Sequence, residues 1–229
     1  MDTIIRLNHI YAKYDGKQVL NDICLEVCDH DYMGIIGPNG GGKTTLIKII
    51  LGLKQPSSGT VEFFRKGQRV KELSIGYLPQ YNEIDKKFPI SVYEVVLSGL
   101  SRQKRLFHPF TSQQHAQVEE TLRQMELEDF KHRHIGSLSG GQLQRVLLAR
   151  AIDVVVLDEP NTYIDKRFQA QMYEMLNKVN QDCAIIIVSH DIAEILNNVK
   201  HVACVNHSLH YHDHTNIPMA QLERHFLEM

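Results

Sequence analysis

The sequence predicts an α/β fold with a mostly parallel sheet, divided by a mainly helical insert. Short apolar runs alternate with amphipathic helical patterns towards both ends of the 229-residue chain. A glycine-rich run beginning at Gly37 joins a short buried strand to a helix. From about Tyr81 to Arg150 there is little strand pattern. We therefore expect one domain, with a core of residues 1–80 and 151–229 and a helical subdomain at about 81–150.

The first 80 residues start as an antiparallel β portion. Thr3–His9 is mostly apolar, Val19–Val27 alternates apolar and polar residues, and Tyr14–Lys17 between them is a turn signal. The elements predicted next are a buried strand at Met33–Ile36, a helix at Lys43–Leu51 and a strand at Thr60–Phe64.

The insert contains three predicted helices. Ser91–Leu97 begins with a capping box, because Ser91 can cap the helix and Glu94 follows three residues later. Thr111–Met125 has the helical apolar period, and Ser139 begins another amphipathic helix.

Strand–helix alternation returns in the last third of the chain. Its short loops predict parallel strands covered by helices. The predicted strands are Val154–Leu157, Ala184–Val188 and His201–Val205, and the predicted helices are Arg167–Val179 and Ile192–Asn198.

Composition excludes several classes of protein. The formal charge of −2 argues against a nucleic-acid-coating protein, and no apolar run approaches the roughly 20 residues that span a bilayer. The cysteines show no zinc-finger spacing. Most of them lie in apolar segments, which predicts reduced, buried thiols in a cytosolic protein.

The strongest motif is the run from Gly37 to Thr45, which fits G-x-x-x-x-G-K-[ST] between a strand and a helix. Its glycines let backbone N–H groups point at an anion, and the following helix adds its positive end. Lys43 can reach the β- and γ-phosphates, and the Thr44 hydroxyl can coordinate Mg²⁺. The residues expected to bind nucleotide here are Gly37, Pro38, Asn39, Gly40, Gly41, Gly42, Lys43, Thr44 and Thr45.

Two carboxylates follow the buried strand at Val154–Leu157. Ligands bind at the carboxyl edge of such sheets, so we expect Asp158 to hold Mg²⁺ and Glu159 to act as general base on the attacking water.

A second helix start could bind an anion. Ser139 and the glycines after it offer a hydroxyl and backbone donors, although an ordinary serine N-cap has the same pattern. Since one phosphate loop serves one nucleotide, this second start suggests a nucleotide shared between two copies. The residues concerned are Ser139, Gly140, Gly141 and Gln142.

With these motifs in this order, nearly the whole chain resembles the ATP-binding subunit of an ATP-binding cassette (ABC) transporter. The run Leu138–Gln142 matches that family's signature sequence. The resemblance implies a RecA-like P-loop NTPase core with an inserted helical subdomain, the ABC ATPase fold. It also implies ATP hydrolysis with Mg²⁺, and a homodimer that holds two ATP molecules between the phosphate loop of one copy and the signature of the other.

Further positions match the family. The resemblance implies that Tyr14 stacks on adenine, that Gln80 senses Mg²⁺ and water, and that His190 contacts the γ-phosphate. It assigns Asp165 to the dimer-contact loop.

The segment from Asn82 to Val92 resembles the corresponding stretch of ABC importers of divalent metals, zinc first, then manganese or iron. The resemblance implies transmembrane permease subunits, an extracytoplasmic metal-binding protein and a peripheral position on the cytoplasmic face of the membrane. The candidate permease contacts are Phe88, Pro89, Ile90 and Val92.

Thirteen histidines are unusual for this length, and several cluster near the C-terminus. On an extended strand His210, His212 and His214 share a face and could ligate one metal ion, although a polar, exposed strand has the same pattern.

The chain also departs from the family. Between Arg150 and Asp158 it is about four residues shorter than the family norm, too short for a comfortable helix-to-strand turn. This predicts a missing loop between Ile152 and Asp153. Two alternatives stay open, an ABC ATPase for another cargo and a soluble non-transport ABC ATPase. A third, a metal-binding regulator without ATPase activity, is disfavoured because Lys43, Asp158, Glu159 and His190 are intact.

Overall fold

The protein, seen in a computed structural model that describes residues 2–78, 89–100, 109–149, 153–160 and 166–227, is built on two sheets. The antiparallel sheet has the order β2-β1-β4-β5. Its strands are β1 Thr3–Tyr14, β2 Lys17–Cys28, β4 Ser58–Arg65 and β5 Gln68–Val70. The predicted antiparallel N-terminal portion is confirmed, and β1 and β2 meet at the predicted turn.

The second sheet has the order β10-β9-β3-β8-β7-β6 and is parallel except for the β9–β10 hairpin. Its strands are β3 Tyr32–Ile36, β6 Ile75–Leu78, β7 Val154–Asp158, β8 Ala184–Val188, β9 His201–Asn206 and β10 Ser208–His212. Every residue of β3, β7 and β8 is buried, which is why these strands appear in the sequence as continuous apolar runs.

The predicted helices are all present within a few residues of their predicted ends. They are α1 Lys43–Ile50, α2 Val92–Gly99, α3 Ser112–Gln124, α4 Gly140–Ala149, α5 Lys166–Val179 and α6 Ile192–Asn198. The predicted capping box of α2 is formed, with Ser91 and Glu94 bonded reciprocally. A final helix, α7 Met219–Leu227, was not predicted. None of the helices in the described ranges is long and apolar enough to cross a bilayer.

The parallel sheet separates two apolar clusters. On one face its side chains pack with β1, β2 and α1, and on the other they pack with α5, α6 and α7. A third cluster joins α2, α3 and α4 around Val92, Val118, Leu122 and Val146. α4 also contributes Leu148 to the cluster beneath the parallel sheet, so it joins the helices of the insert to the core.

The cysteines differ from the sequence expectation. Cys183 and Cys204 are buried, but Cys28 is half-buried and Cys24 is exposed, and all four are free thiols. Cys24 lies between the buried residues Ile23 and Leu25, so strand alternation turns it outwards. The prediction was wrong for Cys24 because an apolar segment of an antiparallel strand buries only one face.

Candidate functional site

The glycine-rich loop lies where β3 leaves the middle of the parallel sheet and α1 begins. None of its glycines, Gly37, Gly40, Gly41 and Gly42, can be replaced without strain. A Cβ on Gly37 (φ 150°) would lie 2.0 Å from the Val205 carbonyl oxygen, and one on Gly42 (φ 100°) would lie 2.5 Å from the Leu20 side chain. Gly42 is the N-cap of α1 and makes no side-chain cap, so the first amides of that helix are left to bind an anion.

Lys43 opens α1 and is buried beneath the loop. Its ammonium group donates hydrogen bonds to the carbonyl oxygens of Gly37 (2.8 Å) and Pro38 (2.9 Å). Burial lowers the pKa of Lys43, while the carboxylates of Glu159 and Asp158 act in the opposite direction. The lysine is thus a cation held against the loop with two acids near it.

Asp158 ends β7 and is 5% exposed. The hydroxyl of Tyr77, on the neighbouring strand β6, donates to Asp158 Oδ2 at 3.3 Å. Burial raises the pKa of Asp158, the Tyr77 hydrogen bond lowers it, and the nearby Glu159 raises it. Tyr77 was not predicted from the sequence, where the only signal is a polar aromatic residue in an otherwise apolar strand, because the pairing of β6 with β7 is set by the fold.

Glu159 takes a left-handed backbone conformation (φ 51°), which is uncommon for a residue other than glycine. Its amide donates to the Val188 carbonyl oxygen at the end of β8 (2.9 Å). Its carboxylate lies 2.6 Å from His190 Nδ1, and His190 is the more exposed partner. The two adjacent strand ends thus bring the acid and the imidazole into contact.

These groups surround one cavity of about 210 Å³. The structure brings Lys43, Asp158, Glu159 and the phosphate loop to this cavity. It also places His190 against the Glu159 carboxylate. The residues that line it are Val19, Pro38, Asn39, Gly40, Gly42, Lys43, Thr44, Thr45, Asp158 and Glu159. A cation, two carboxylates, a hydroxyl and free amides at one edge of a parallel sheet suit a phosphate ester with a divalent cation.

Tyr14 and the second helix start lie apart from this cavity's lining. Tyr14 ends β1, and its ring is 62% exposed with the Lys54 ammonium 5.7 Å from the ring centre. Ser139 caps α4: its hydroxyl accepts from the Gln142 amide (3.3 Å), and Gln142 Oε1 accepts from the Ser139 amide (2.9 Å). Ser139 and Gly140 are exposed, so this helix start faces solvent.

Some predicted positions lie outside the described residues. They are Gln80, Phe88, Asp165 and the connection between Arg150 and Ile152, together with the loop predicted to be missing there.

The proposed permease contacts need correction. Val92 is fully buried, because it is the first residue of α2 and belongs to the apolar cluster of the insert. Ile90 is half-buried and packs on the same cluster, and Pro89 is exposed. Val92 therefore stabilises the insert and cannot present its side chain to a partner.

The three C-terminal histidines are not gathered around a common point. The His210 ring stacks on that of His225 from α7, with centroids 4.1 Å apart, and the His212 and His214 rings are 6.4 Å apart. Stacked rings hold their nitrogen lone pairs in roughly parallel planes, so these lone pairs do not point at one shared ion. Among the described residues, the cluster whose ligand atoms lie within 4.8 Å of one another is a different one, formed by His9, Asp22 and Cys24.

Comparison with known proteins adds independent information. A family model described as "ABC transporter" matches residues 20–162. The "Zinc uptake system ATP-binding protein ZurA" of Listeria innocua is 36% identical over 215 residues, which are 90% of this chain and 84% of that protein. The "High-affinity zinc uptake system ATP-binding protein ZnuC" of Bacillus subtilis is 35% identical over 84% of this chain and 86% of its own length.

A "Probable metal transport system ATP-binding protein" of Chlamydia pneumoniae is 40% identical over 85% of this chain and 82% of its own length. Among solved structures, an ATP-binding cassette of an ABC transporter superposes with a TM-score of 0.76 at 24% identity. That match covers 97% of this chain and 96% of the other and shows a common fold.

Proposed function

This chain belongs to the ABC transporter family, and on that premise we propose that it is the ATP-binding and ATP-hydrolysing subunit of a divalent-metal importer, with zinc as the first candidate cargo. The observation that carries the proposal is the cavity at which Lys43, Asp158 and Glu159 meet the glycine-rich loop. The names of the relatives from Listeria and Bacillus support zinc over manganese or iron.

The loop suits the phosphates of ATP. Gly37 and Gly42 leave no room for a side chain, and the uncapped start of α1 offers amide donors. Lys43 would exchange the carbonyl oxygens of Gly37 and Pro38 for the β- and γ-phosphate oxygens. We propose that Tyr14 stacks on the adenine, since its ring is exposed at the end of β1.

The donor set also suits Mg²⁺. Thr44 offers a hydroxyl and Asp158 a carboxylate, and hard oxygen donors are the ligands that this ion prefers. Bound there, Mg²⁺ would neutralise charge on the phosphates. Gln80 is proposed as a further ligand from the family resemblance.

Glu159 is proposed as the general base. Its carboxylate would take a proton from the water that attacks the γ-phosphorus. His190 Nδ1 lies 2.6 Å from that carboxylate, and the other ring nitrogen, Nε2, would donate to the γ-phosphate from this exposed side chain. Phosphoryl transfer needs mainly positioning and charge neutralisation, and the ends of β7 and β8 supply the positioning.

Two copies are proposed to share the nucleotides. The solvent-facing start of α4, with Ser139 to Gln142, would bind the γ-phosphate held by the loop of the other copy. Residues of about 81–150 would form the helical subdomain that contacts the permease, with Phe88, Pro89 and Ile90 as candidate contacts. We propose that the subunit works at the cytoplasmic face of the membrane, beside an extracytoplasmic metal-binding protein.

The Glu159→Gln variant tests the assignment. We expect ATP binding to persist and ATP turnover to fall by about 10²- to 10⁴-fold, because glutamine cannot accept the water proton. The trapped variant should also form a dimer with ATP and Mg²⁺, measured by size-exclusion chromatography with light scattering. The exposed Glu128→Gln variant is the matched control and should behave as wild type.

Near-normal turnover of Glu159→Gln would remove Glu159 from this role. Cargo is tested separately, by expressing the chain with its permease and measuring ATP-dependent uptake of Zn²⁺, Mn²⁺ and iron. Uptake of none of these metals by an active ATPase would favour another cargo, or a soluble ATPase.

A further inference from the structure

Three potential metal ligands meet on the outer face of the antiparallel sheet. His9 Nδ1 lies 2.7 Å from Asp22 Oδ1 and 3.8 Å from Cys24 Sγ, and all three residues are exposed. The His9 amide also approaches Cys24 Sγ at 3.3 Å. None of the three lines the cavity at the phosphate loop, so this cluster lies outside the proposed nucleotide site.

Two irregularities of the β1–β2 ladder create the cluster. Between the pairs Leu7↔Leu25 and Ile10↔Ile23, β1 has one extra residue, and the next shift leaves an extra residue in β2. His9 (φ 48°) and Asp22 (φ 54°) lie at these bulges in left-handed conformation. Bulges re-aim side chains, and here they turn an imidazole and a carboxylate towards the same thiol.

Strand β4, which pairs with β1 on the side away from β2, accommodates this distortion. A Cβ on Gly59 of β4 would lie 2.2 Å from the His9 carbonyl oxygen, so a glycine is needed where the bulge approaches. Histidine and aspartate adopt left-handed backbone more readily than most residues other than glycine, which suits both to these bulges.

The chemistry of the ligands selects the ion. Thiolate, imidazole and carboxylate together favour Zn²⁺ or a similar transition metal, whereas Mg²⁺ and Ca²⁺ prefer oxygen alone. Tetrahedral zinc with ordinary bond lengths separates a sulfur and a nitrogen ligand by about 3.6 Å, and a nitrogen and an oxygen ligand by about 3.4 Å. The observed distances are 3.8 Å from His9 Nδ1 to Cys24 Sγ and 2.7 Å from His9 Nδ1 to Asp22 Oδ1. Small rotations of the exposed side chains would bring both to the values for zinc.

The geometry of the three side chains carries the assignment. The His9 imidazole lies within hydrogen-bond distance of the Asp22 carboxylate, and the Cys24 thiol lies beside the same imidazole. We propose that His9, Asp22 and Cys24 form a surface site for one Zn²⁺-like ion, with water completing its coordination.

The test uses the full chain without nucleotide. Titration with Co²⁺ should produce the charge-transfer absorption of a cobalt thiolate, and Zn²⁺ should abolish it with one-to-one stoichiometry. Cys24→Ser should lose the band, while His9→Gln and Asp22→Asn should weaken Zn²⁺ binding by more than about tenfold in calorimetry. The matched controls are Cys28→Ser, the half-buried thiol of the same strand, and a triple His210, His212, His214→Gln variant, and both should keep the band.

Thiol labelling gives an independent readout. Zn²⁺ should slow maleimide labelling of Cys24 by at least about tenfold in wild type but not in His9→Gln, with circular dichroism verifying that both are folded. A cobalt band that survives Cys24→Ser, or labelling of Cys24 that Zn²⁺ does not slow in wild type, would overturn the proposal. So would Zn²⁺ affinity unchanged by His9→Gln and Asp22→Asn.

Discussion

At the residue scale, the cavity holds charge at a cost in stability. Lys43 and Asp158 are both buried, and burial disfavours the charged form of each. The pKa of Asp158 is raised above its unfolded value, so the folded chain holds that proton more tightly than the unfolded chain does. Protonated Asp158 therefore adds to the free energy of unfolding at low pH, and this contribution is lost as the pH rises through the raised pKa.

Asp158→Asn should consequently stabilise the fold while impairing ATP hydrolysis. Asparagine can still accept the Tyr77 hydrogen bond and removes the buried charge. We expect the melting temperature at neutral pH to rise by about 2–4 °C, as for roughly 1 kcal/mol in a chain of this size. Calorimetry of both proteins should show the difference narrowing as the pH falls towards 3.8. A variant that is less stable than wild type at neutral pH would contradict this expectation, because the Asp158 charge would then stabilise the fold.

At the scale of elements, the β9–β10 hairpin and α7 meet through histidines. The His212 ring lies 5.3 Å from that of His225 on α7. Burial lowers the pKa of His212, and repulsion from His225, His214 and His210 lowers it further, against the effect of Asp213. The packing therefore favours neutral His212.

Acidification should weaken the packing of α7. Because the folded pKa of His212 lies below its unfolded value, stability is lost as the pH falls from 6.5 through the folded pKa. Amide hydrogen exchange in α7 should speed up several-fold, after correction for the intrinsic rate, between pH about 7.5 and about 5.5. The His212→Gln variant should show a smaller change, and the exposed His132→Gln variant should match wild type. An equal acid response in His212→Gln would assign the effect to other groups.

At the scale of the whole molecule, one carboxylate ties the two sheets together. Asp153, just before β7 of the parallel sheet, accepts from Arg65 Nε (3.1 Å) at the end of β4 and from the Ser74 amide (2.6 Å) before β6. Its side chain is largely buried. A charge-assisted contact with several donors resists relative movement of the sheets.

Asp153→Ala should destabilise the chain by about 1–3 kcal/mol, because it leaves the Ser74 amide and the Arg65 guanidinium without this acceptor. Urea unfolding measures the loss. The exposed Arg6–Glu26 pair lies within the antiparallel sheet alone, and Glu26→Gln should cost less than about 1 kcal/mol. Equal costs for both variants would contradict a connecting role for Asp153.

Local patterns were enough to predict most of the architecture. Strands β3, β7 and β8 were predictable because both of their faces are buried, and α2 was predictable because Ser91 and Glu94 cap it within one turn. α7 was missed because it buries few residues, chiefly Leu222. Such features depend on neighbours within a few positions, and no knowledge of distant contacts is needed to infer them.

Contacts between segments that are distant in the sequence could not be predicted from local patterns. The carboxylate of Glu159 meets His190 because β7 and β8 are adjacent, and Val92 is buried because α3 and α4 cover it. The shared period of His210 to His214 suggested a metal site, yet His210 stacks on His225 of α7, and the His212 and His214 rings lie 6.4 Å apart. His9, Asp22 and Cys24 converge through two bulges that no periodicity encodes, since register is settled by pairing across the sheet.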